Sequence, residues 1–351
     1  MNEMSSDMSS PGMPGIDRLM ARGAAFLGTR YAVMGGAMSW VSERNLVAAL
    51  SNAGAFGVIA CGAMEPDRLA QEIAGTQALT QKPFGVNLIT MHPRLDQLVD
   101  VCLEAKVGHI VFAGGIPPGG AIKKAKEGGA KVVCFAPALA LAKKLVRSGA
   151  DALVIEGSEA GGHIGPVSLT VLAQEILPHV RDVPVFVAGG IGRGEAILSY
   201  LEMGAAGVQL GTRFVCATES IAHPKFKQAF LRGNARDAMP TVQLDERFPV
   251  IPVRALQNEG TKRFVEHQAK VLARFLAGEV AKDAAQLEIE HFWAGALRRA
   301  VIDGDVEQGS LMAGQSVGMV GKEQPAAEIM AELMAQAAAA LDARRAQMNN
   351  S

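Results

Sequence analysis

Residues 183–194 read Val183-Pro184-Val185-Phe186-Val187-Ala188-Gly189-Gly190-Ile191-Gly192-Arg193-Gly194. The first six form an apolar, β-branched run of the kind found in a strand covered on both faces. Glycines then open a turn, and helical spacing follows over Arg193–Met203. This strand, turn and helix unit repeats along the chain. Apolar runs recur at Tyr31–Met34, Gly57–Cys61, Pro83–Leu88, His109–Gly114, Lys131–Phe135, Ala152–Glu156, Val183–Ala188 and Gly207–Leu210, eight in all. Helical spacing fills the intervals, as at Asp67–Ala74, Arg94–Ala105, Ala138–Ser148 and Ser168–His179. Such alternation implies a parallel sheet. Eight units predict an α/β fold, a closed (β/α)8 TIM barrel with its active site at the C-terminal strand ends.

Polar and glycine residues fall at those ends. The third run ends at Asn87, the fourth at Gly114-Gly115, the sixth at Glu156 and the seventh at Gly189-Gly190. Lys82 and Lys131 lie instead at strand starts, so no lysine stands where a Schiff-base aldolase needs one. Beyond residue 218 the pattern changes to helical segments around a proline-containing extended piece, Val242–Pro252, and ends in an alanine-rich helix around Ala326–Arg345. The expected organisation is a disordered extension over 1–15 and the barrel over 16–217. A helical cap or lid over the mouth follows at 218–322, then a closing helix and tail at 323–351. The first fifteen residues lack the basic start and apolar core of a signal peptide.

Bulk properties narrow the function. The 351 residues suit a barrel with additions, and such a chain buries about three quarters of its unfolded surface without needing disulfides. A net charge of −1 argues against a nucleic-acid surface, and 5% aromatic residues disfavour base-stacking platforms. The four cysteines, Cys61, Cys102, Cys134 and Cys216, show no paired spacing and read as buried free thiols, which fits the cytoplasm. No apolar run is long enough to span a membrane. The expected partner is a small-molecule substrate, with a homodimer as the assembly.

The chemistry concentrates in three loops. Ala152–Glu156 leads into Gly157-Ser158-Glu159-Ala160-Gly161-Gly162-His163-Ile164-Gly165. Of seven histidines, His163 alone sits in a strand-end glycine loop, where an imidazole can move protons near neutral pH. A structural histidine bonding a loop carbonyl is the alternative. The turn Gly189-Gly190-Ile191-Gly192 and the turn Gly211-Thr212 follow the last two strands, where barrels bind phosphate through backbone N–H groups. Glu156 and Glu159 are acids or bases, or braces of the loop. No second histidine or cysteine stands at metal-ligand spacing near His163, so no metal site is expected. No nucleophile elbow is present, and the loop after the sixth strand lacks the cysteine that a purine-nucleotide dehydrogenase would use.

Together these residues resemble the flavin-dependent family containing nitronate monooxygenase (2-nitropropane dioxygenase) and the type II, flavin-containing enoyl-acyl-carrier-protein reductase. The resemblance runs from about residue 31 to 340 and rests on Gly36–Val41, Lys82–Asn87, Glu159–Gly165, Ala188–Ile191, Gly211–Phe214, Gly304–Val306 and Met312–Gln315. It implies a non-covalent FMN with its phosphate at Gly189, Gly190, Gly211 and Thr212. Gly35, Gly36, Ala37, Met38 and Asn87 would face the ring and ribityl chain, with Glu156 and Gly162 completing the cofactor contacts. His163 would be the catalytic proton-transfer residue beside flavin N5. The family usually has glutamine where this chain has Gly35. The implied activity is oxidation of small alkyl nitronates with O2. The alternatives are NAD(P)H-dependent reduction of an enoyl thioester or quinone, and a non-catalytic barrel that binds a phosphorylated ligand. Arg193, Arg213 and Arg254 could attract an anionic substrate, or be solvated surface charges.

Overall fold

The computed structural model describes residues 14–349 apart from 63 and 249. The disordered extension expected over 1–15 lies outside the described residues except for its last two positions, which begin helix α1 (Pro14–Leu27). Eight parallel strands follow. They are β1 (Val33–Gly35), β2 (Gly57–Ala60), β3 (Phe84–Ile89), β4 (His109–Ala113), β5 (Lys131–Phe135), β6 (Ala152–Glu156), and, after a two-residue strand β7 (Gly162–His163), β8 (Val185–Ala188) and β9 (Gly207–Leu210). Between them run α2 (Arg44–Asn52), α3 (Pro66–Leu79), α4 (Leu95–Glu104), α5 (Gly119–Glu127), α6 (Leu139–Arg147), α7 (Leu169–Ile176) and α8 (Gly194–Glu202). The strand order β1-β9-β8-β6-β5-β4-β3-β2 closes through Gly35 N to Phe56 O and Phe56 N to Val33 O, both 2.8 Å. The chain folds as a TIM barrel.

Register fixes what points into the barrel. Met34, Gln209, Ala188 and Glu156 lie opposite one another across β1, β9, β8 and β6. Val133 pairs with Ala152 and Val111, and Val111 pairs with Asn87. Side chains alternate faces along a strand, so all of these share the inner face. The outward direction is marked by Gly35, where an added Cβ would stand 2.6 Å from Leu50 of α2. Near the mouth the inner face therefore carries three polar side chains, Asn87, Glu156 and Gln209. At the opposite end α1 plugs the barrel. Phe26 meets His109 edge-on at 5.3 Å, its carbonyl lies 3.0 Å from His109 Nε2, and burial pulls that imidazole down to about 4.

After β9 come α9 (Pro224–Arg232), β10 (Ala238–Pro240), β11 (Val253–Leu256), α10 (Glu259–Leu276), α11 (Lys282–Val301), β12 (Leu311–Met312) and α12 (Ala326–Asn349). Strand β11 is the hub of a small antiparallel sheet, paired with β10, β12 and β7. The extended piece expected at Val242–Pro252 is the loop joining β10 to β11, clasped by the Gln243 amide on both polar groups of Val250. A second apolar cluster, with Phe248, Phe264, Ile289 and Trp293, forms over the outer face of this sheet. Helix α12 returns to the barrel wall beside α8. Its Ile329, Met330, Leu333 and Met334 are fully buried there, and Gly194 N donates to Gln336 Oε1 at 2.9 Å.

Helix α1 and strands β7, β10 and β12 stand outside the sequence expectation. The strands are two or three residues long, too short to show a period, and they exist only through pairing with β11. All four cysteines are free and buried, and burial pushes the thiols of Cys61, Cys134 and Cys216 up to about 12. No described helix is long and apolar enough to cross a membrane.

Candidate active site

The loop after β1 is held against the end of β9. Gly36 N donates to Leu210 O at 2.8 Å, and a Cβ on Gly36 would lie 3.3 Å from Gly211 Cα. The Ser42 hydroxyl fastens the turn, donating to Gly36 O and accepting from Met38 N. Met38 then lies over Gly211, its Sδ 3.4 Å from where a Cβ there would stand. Gly36, Ala37, Met38 and Gly211 thus form one floor. Gly35 stands apart, because its side-chain direction faces α2. A glutamine at that position would run into Leu50, so its absence removes nothing from the mouth. Trp40, two residues beyond Met38, is a non-glycine residue in the left-handed region at φ 68°, a strained conformation that collects at functional sites.

The two glycine turns supply free donors. Gly189 and Gly190 have φ of 100° and 70°, and a Cβ on either would come within 3.0 Å of the loop after β6, at Gly157 O and Glu159 Cβ. Only glycine satisfies both demands. Among the described residues, the backbone N–H groups of Gly190, Gly211 and Thr212 donate to no acceptor of the chain. Clustered N–H groups of this kind suit a phosphate. The Thr212 hydroxyl accepts from Gly314 N at 2.9 Å.

At the base of the mouth Asn87 and Gln209 are 7% and 8% exposed. The Asn87 amide donates to Val111 O at 3.2 Å. Glu156 is packed closely on most sides, and loss of hydration pushes its carboxyl up to about 8. It is a neutral acid at pH 7, able to donate as well as accept. Gln209 escaped the sequence reading. The one signal for it was an amide inside the apolar run Gly207-Val208-Gln209-Leu210.

His163 sits on β7, where it pairs with Val253 of β11, while Gly162, at φ 78°, pairs with Arg254. The loop before it packs on the Met312–Gln315 segment, since Gln315 N donates to Glu159 O at 2.9 Å and a Cβ on Gly161 would meet Gly314 N at 2.5 Å. Glu159 is a brace, its carboxylate accepting from Leu169 N at the start of α7 at 3.0 Å. Arg254 is another. Buried to 7% exposure, it donates to Ser158 O at 2.9 Å and Ala238 O at 2.5 Å. Arg193 is an exposed partner of Glu195, and Arg213 is buried against Glu332 of α12 at 2.9 Å. None of the three arginines is an open cation at the mouth. No metal-ligand cluster occurs among the described residues.

The sequence profile of the family described as nitronate monooxygenase matches residues 21–98 and 91–336. The (3aS,4S,5R,7aS)-5-hydroxy-7a-methyl-1-oxo-octahydro-1H-indene-4-carboxyl-CoA dehydrogenase of Rhodococcus jostii (strain RHA1) is 30% identical over 90% of this chain and 95% of its own. A nitronate monooxygenase of Paraburkholderia phytofirmans (strain DSM 17436 / LMG 22146 / PsJN) is 29% identical over 88% and 92%. Among solved structures, FabK from Thermotoga maritima superposes with a TM-score of 0.83 at 35% identity, covering 93% of this chain and 98% of that one. The nitroalkane oxidase of Streptomyces ansochromogenes gives a TM-score of 0.76 at 27% identity over 92% and 99%. With its family profile matched along nearly all of the described chain, this protein is an oxidoreductase that belongs to the nitronate monooxygenase family.

Proposed function

We propose that the protein is an FMN-dependent oxidoreductase that oxidises small alkyl nitronates with molecular oxygen. The observation that carries this reading is the convergence of unpaired N–H donors at Gly190, Gly211 and Thr212 beside the floor formed by Gly36, Ala37 and Met38. Gly189 and Gly190 with Gly211 and Thr212 would hold the phosphate. Met38, Asn87 and Glu156 would face the ring system, with Gly162 at the edge of the site. When bound, FMN supplies the electron transfer that no side chain here can. Where the substrate arrives as the neutral nitroalkane, His163 takes the proton from the carbon bearing the nitro group. That carbon is acidic because the nitro group spreads the charge, and the product is the nitronate that is oxidised. Glu156, neutral near pH 7, offers a hydrogen bond without adding a negative charge. Residues 218–322 act as the lid that excludes water, and four free thiols suit a reducing cytoplasm.

A second reading is reduction of an enoyl thioester at the same site with NAD(P)H. It is favoured by the identity of 35% with FabK and 30% with a carboxyl-CoA dehydrogenase. The proton chemistry is shared, since a thioester enolate, like a nitronate, is a carbanion delocalised onto oxygen. The cofactor is tested by denaturing purified protein and chromatographing what is released. A yellow protein that yields FMN and turns over propionate-3-nitronate in air without a nicotinamide supports the first reading. A colourless protein that takes up no FMN overturns both.

A further inference from the structure

We propose that Glu332 and Gln336, one turn apart on α12, are positioning residues for the flavin phosphate. From behind the barrel wall they tie the two glycine turns together and so set the spacing of the N–H groups that receive the anion. The hydrogen bonds form one relay. Gly194 N, at the start of α8 and just beyond the Gly189–Gly192 turn, donates to Gln336 Oε1 at 2.9 Å. The Gln336 amide donates in turn to Glu332 Oε1 at 3.1 Å. The other Glu332 oxygen accepts from Arg213 Nη2 at 2.9 Å and from Gln324 Nε2 at 3.0 Å. Arg213 adjoins Thr212 in the second turn, so the relay spans both. Two features mark it as built. A Cβ on Gly194 would stand 2.1 Å from Leu333 O, so only glycine lets α8 begin this close to α12. The Arg213 side chain is 3% exposed, unlike the mobile partners of surface ion pairs. Among the described residues its Nε and Nη1 find no acceptor, and Glu332 fixes its direction. The β8–β9 ladder ends at the pair Ala188 and Gln209, and beyond it the relay joins the two turns. Donors held at a set spacing bind an anion without the cost of ordering them first.

This inference rests on the reading of the two turns as the phosphate site, and riboflavin, which lacks the phosphate, separates the two claims. The full-length protein, reversibly stripped of flavin, is titrated with FMN and separately with riboflavin. Gln336→Ala puts the strongest helix former on α12, so the helix is retained. It should weaken FMN binding about 3–10-fold, the effect of one lost hydrogen bond, and leave riboflavin binding unchanged. The phosphorus-31 resonance of bound FMN should move as well. Glu332→Gln should act in the same direction. Its amide must turn an N–H toward Gln336 or Arg213, and both of those groups are donors. Equal weakening of both flavins would mean a general effect on the fold and overturns the proposal. So does Gln336→Ala with FMN affinity and phosphorus resonance unchanged. Tighter FMN binding in Glu332→Gln also overturns it, because the carboxylate would then act only by repelling the phosphate. A parent protein that holds FMN no more tightly than riboflavin overturns the phosphate site itself, and the relay's role with it.

Discussion

Glu156 couples the site to pH. Folded, its carboxyl keeps its proton up to about 8; unfolded, it releases it near the ordinary 4.5. Between those values the unfolded chain binds fewer protons, so this group lowers stability as pH rises from about 4.5 to about 8 and adds nothing further above that. Glu156→Gln should remove this slope, which urea unfolding at several pH values measures. Flavin retention by the parent should weaken above about pH 8 and stay level in the variant. His163→Ala should lose about 10²–10⁴-fold in turnover with flavin retained. Undiminished single-turnover rates would reduce His163 to a structural residue. The glycines differ in what they test. Gly190 has φ 70° and a crowded Cβ direction, so Gly190→Val strains the fold itself. Gly211 has ordinary φ and a Cβ site in van der Waals contact with Met38 Sδ at 3.4 Å. Gly211→Val is therefore the cleaner probe, and it should weaken FMN retention more than it lowers Tm.

At the scale of elements, β11 decides how the cap meets the barrel. It holds β7, and with it His163, while Arg254 ties the loop after β6 to β10 through Ser158 O and Ala238 O. Arg254→Ala leaves those two buried carbonyls short of a donor, a loss of about 1–3 kcal/mol each. Hydrogen exchange over 238–256 should rise, and KM should rise more than kcat falls; unchanged exchange there would contradict the bracing role. The elements that were legible in the sequence are those whose period is intrinsic. Lys131–Phe135, Ala152–Glu156 and Gly207–Leu210 begin and end where the apolar runs do. The small sheet was not legible because β7, Gly162–His163, takes its strand character from a partner some 90 residues away, at Val253 and Arg254. The same holds for the site. His163 and the glycine turns were visible as residue types in loops. The inward direction of Gln209 and the outward direction of Gly35 depend on register, which no local pattern carries.

Over the whole molecule, the wall of the barrel is completed by a helix that arrives only after the cap has been built. Ile329, Met330, Leu333 and Met334 of α12 are fully buried beside α8. At roughly 1.5–3 kcal/mol per buried side chain, these four contribute about 6–12 kcal/mol, as much as the net stability of many domains. Leu333→Ala should cost about 2–5 kcal/mol in unfolding free energy while the flavin-to-protein ratio of the folded fraction is unchanged. Removing 326–349 should abolish folding, as circular dichroism would register. The central claim, that this barrel takes electrons from a nitronate, is tested most directly by anaerobic stopped-flow of the oxidised protein. Mixing with propionate-3-nitronate should bleach the flavin absorbance rapidly, while NADH and NADPH leave it unchanged on that timescale. Fast bleaching by either nucleotide, with none by the nitronate, would contradict the account and favour the NAD(P)H-dependent reductase in its place.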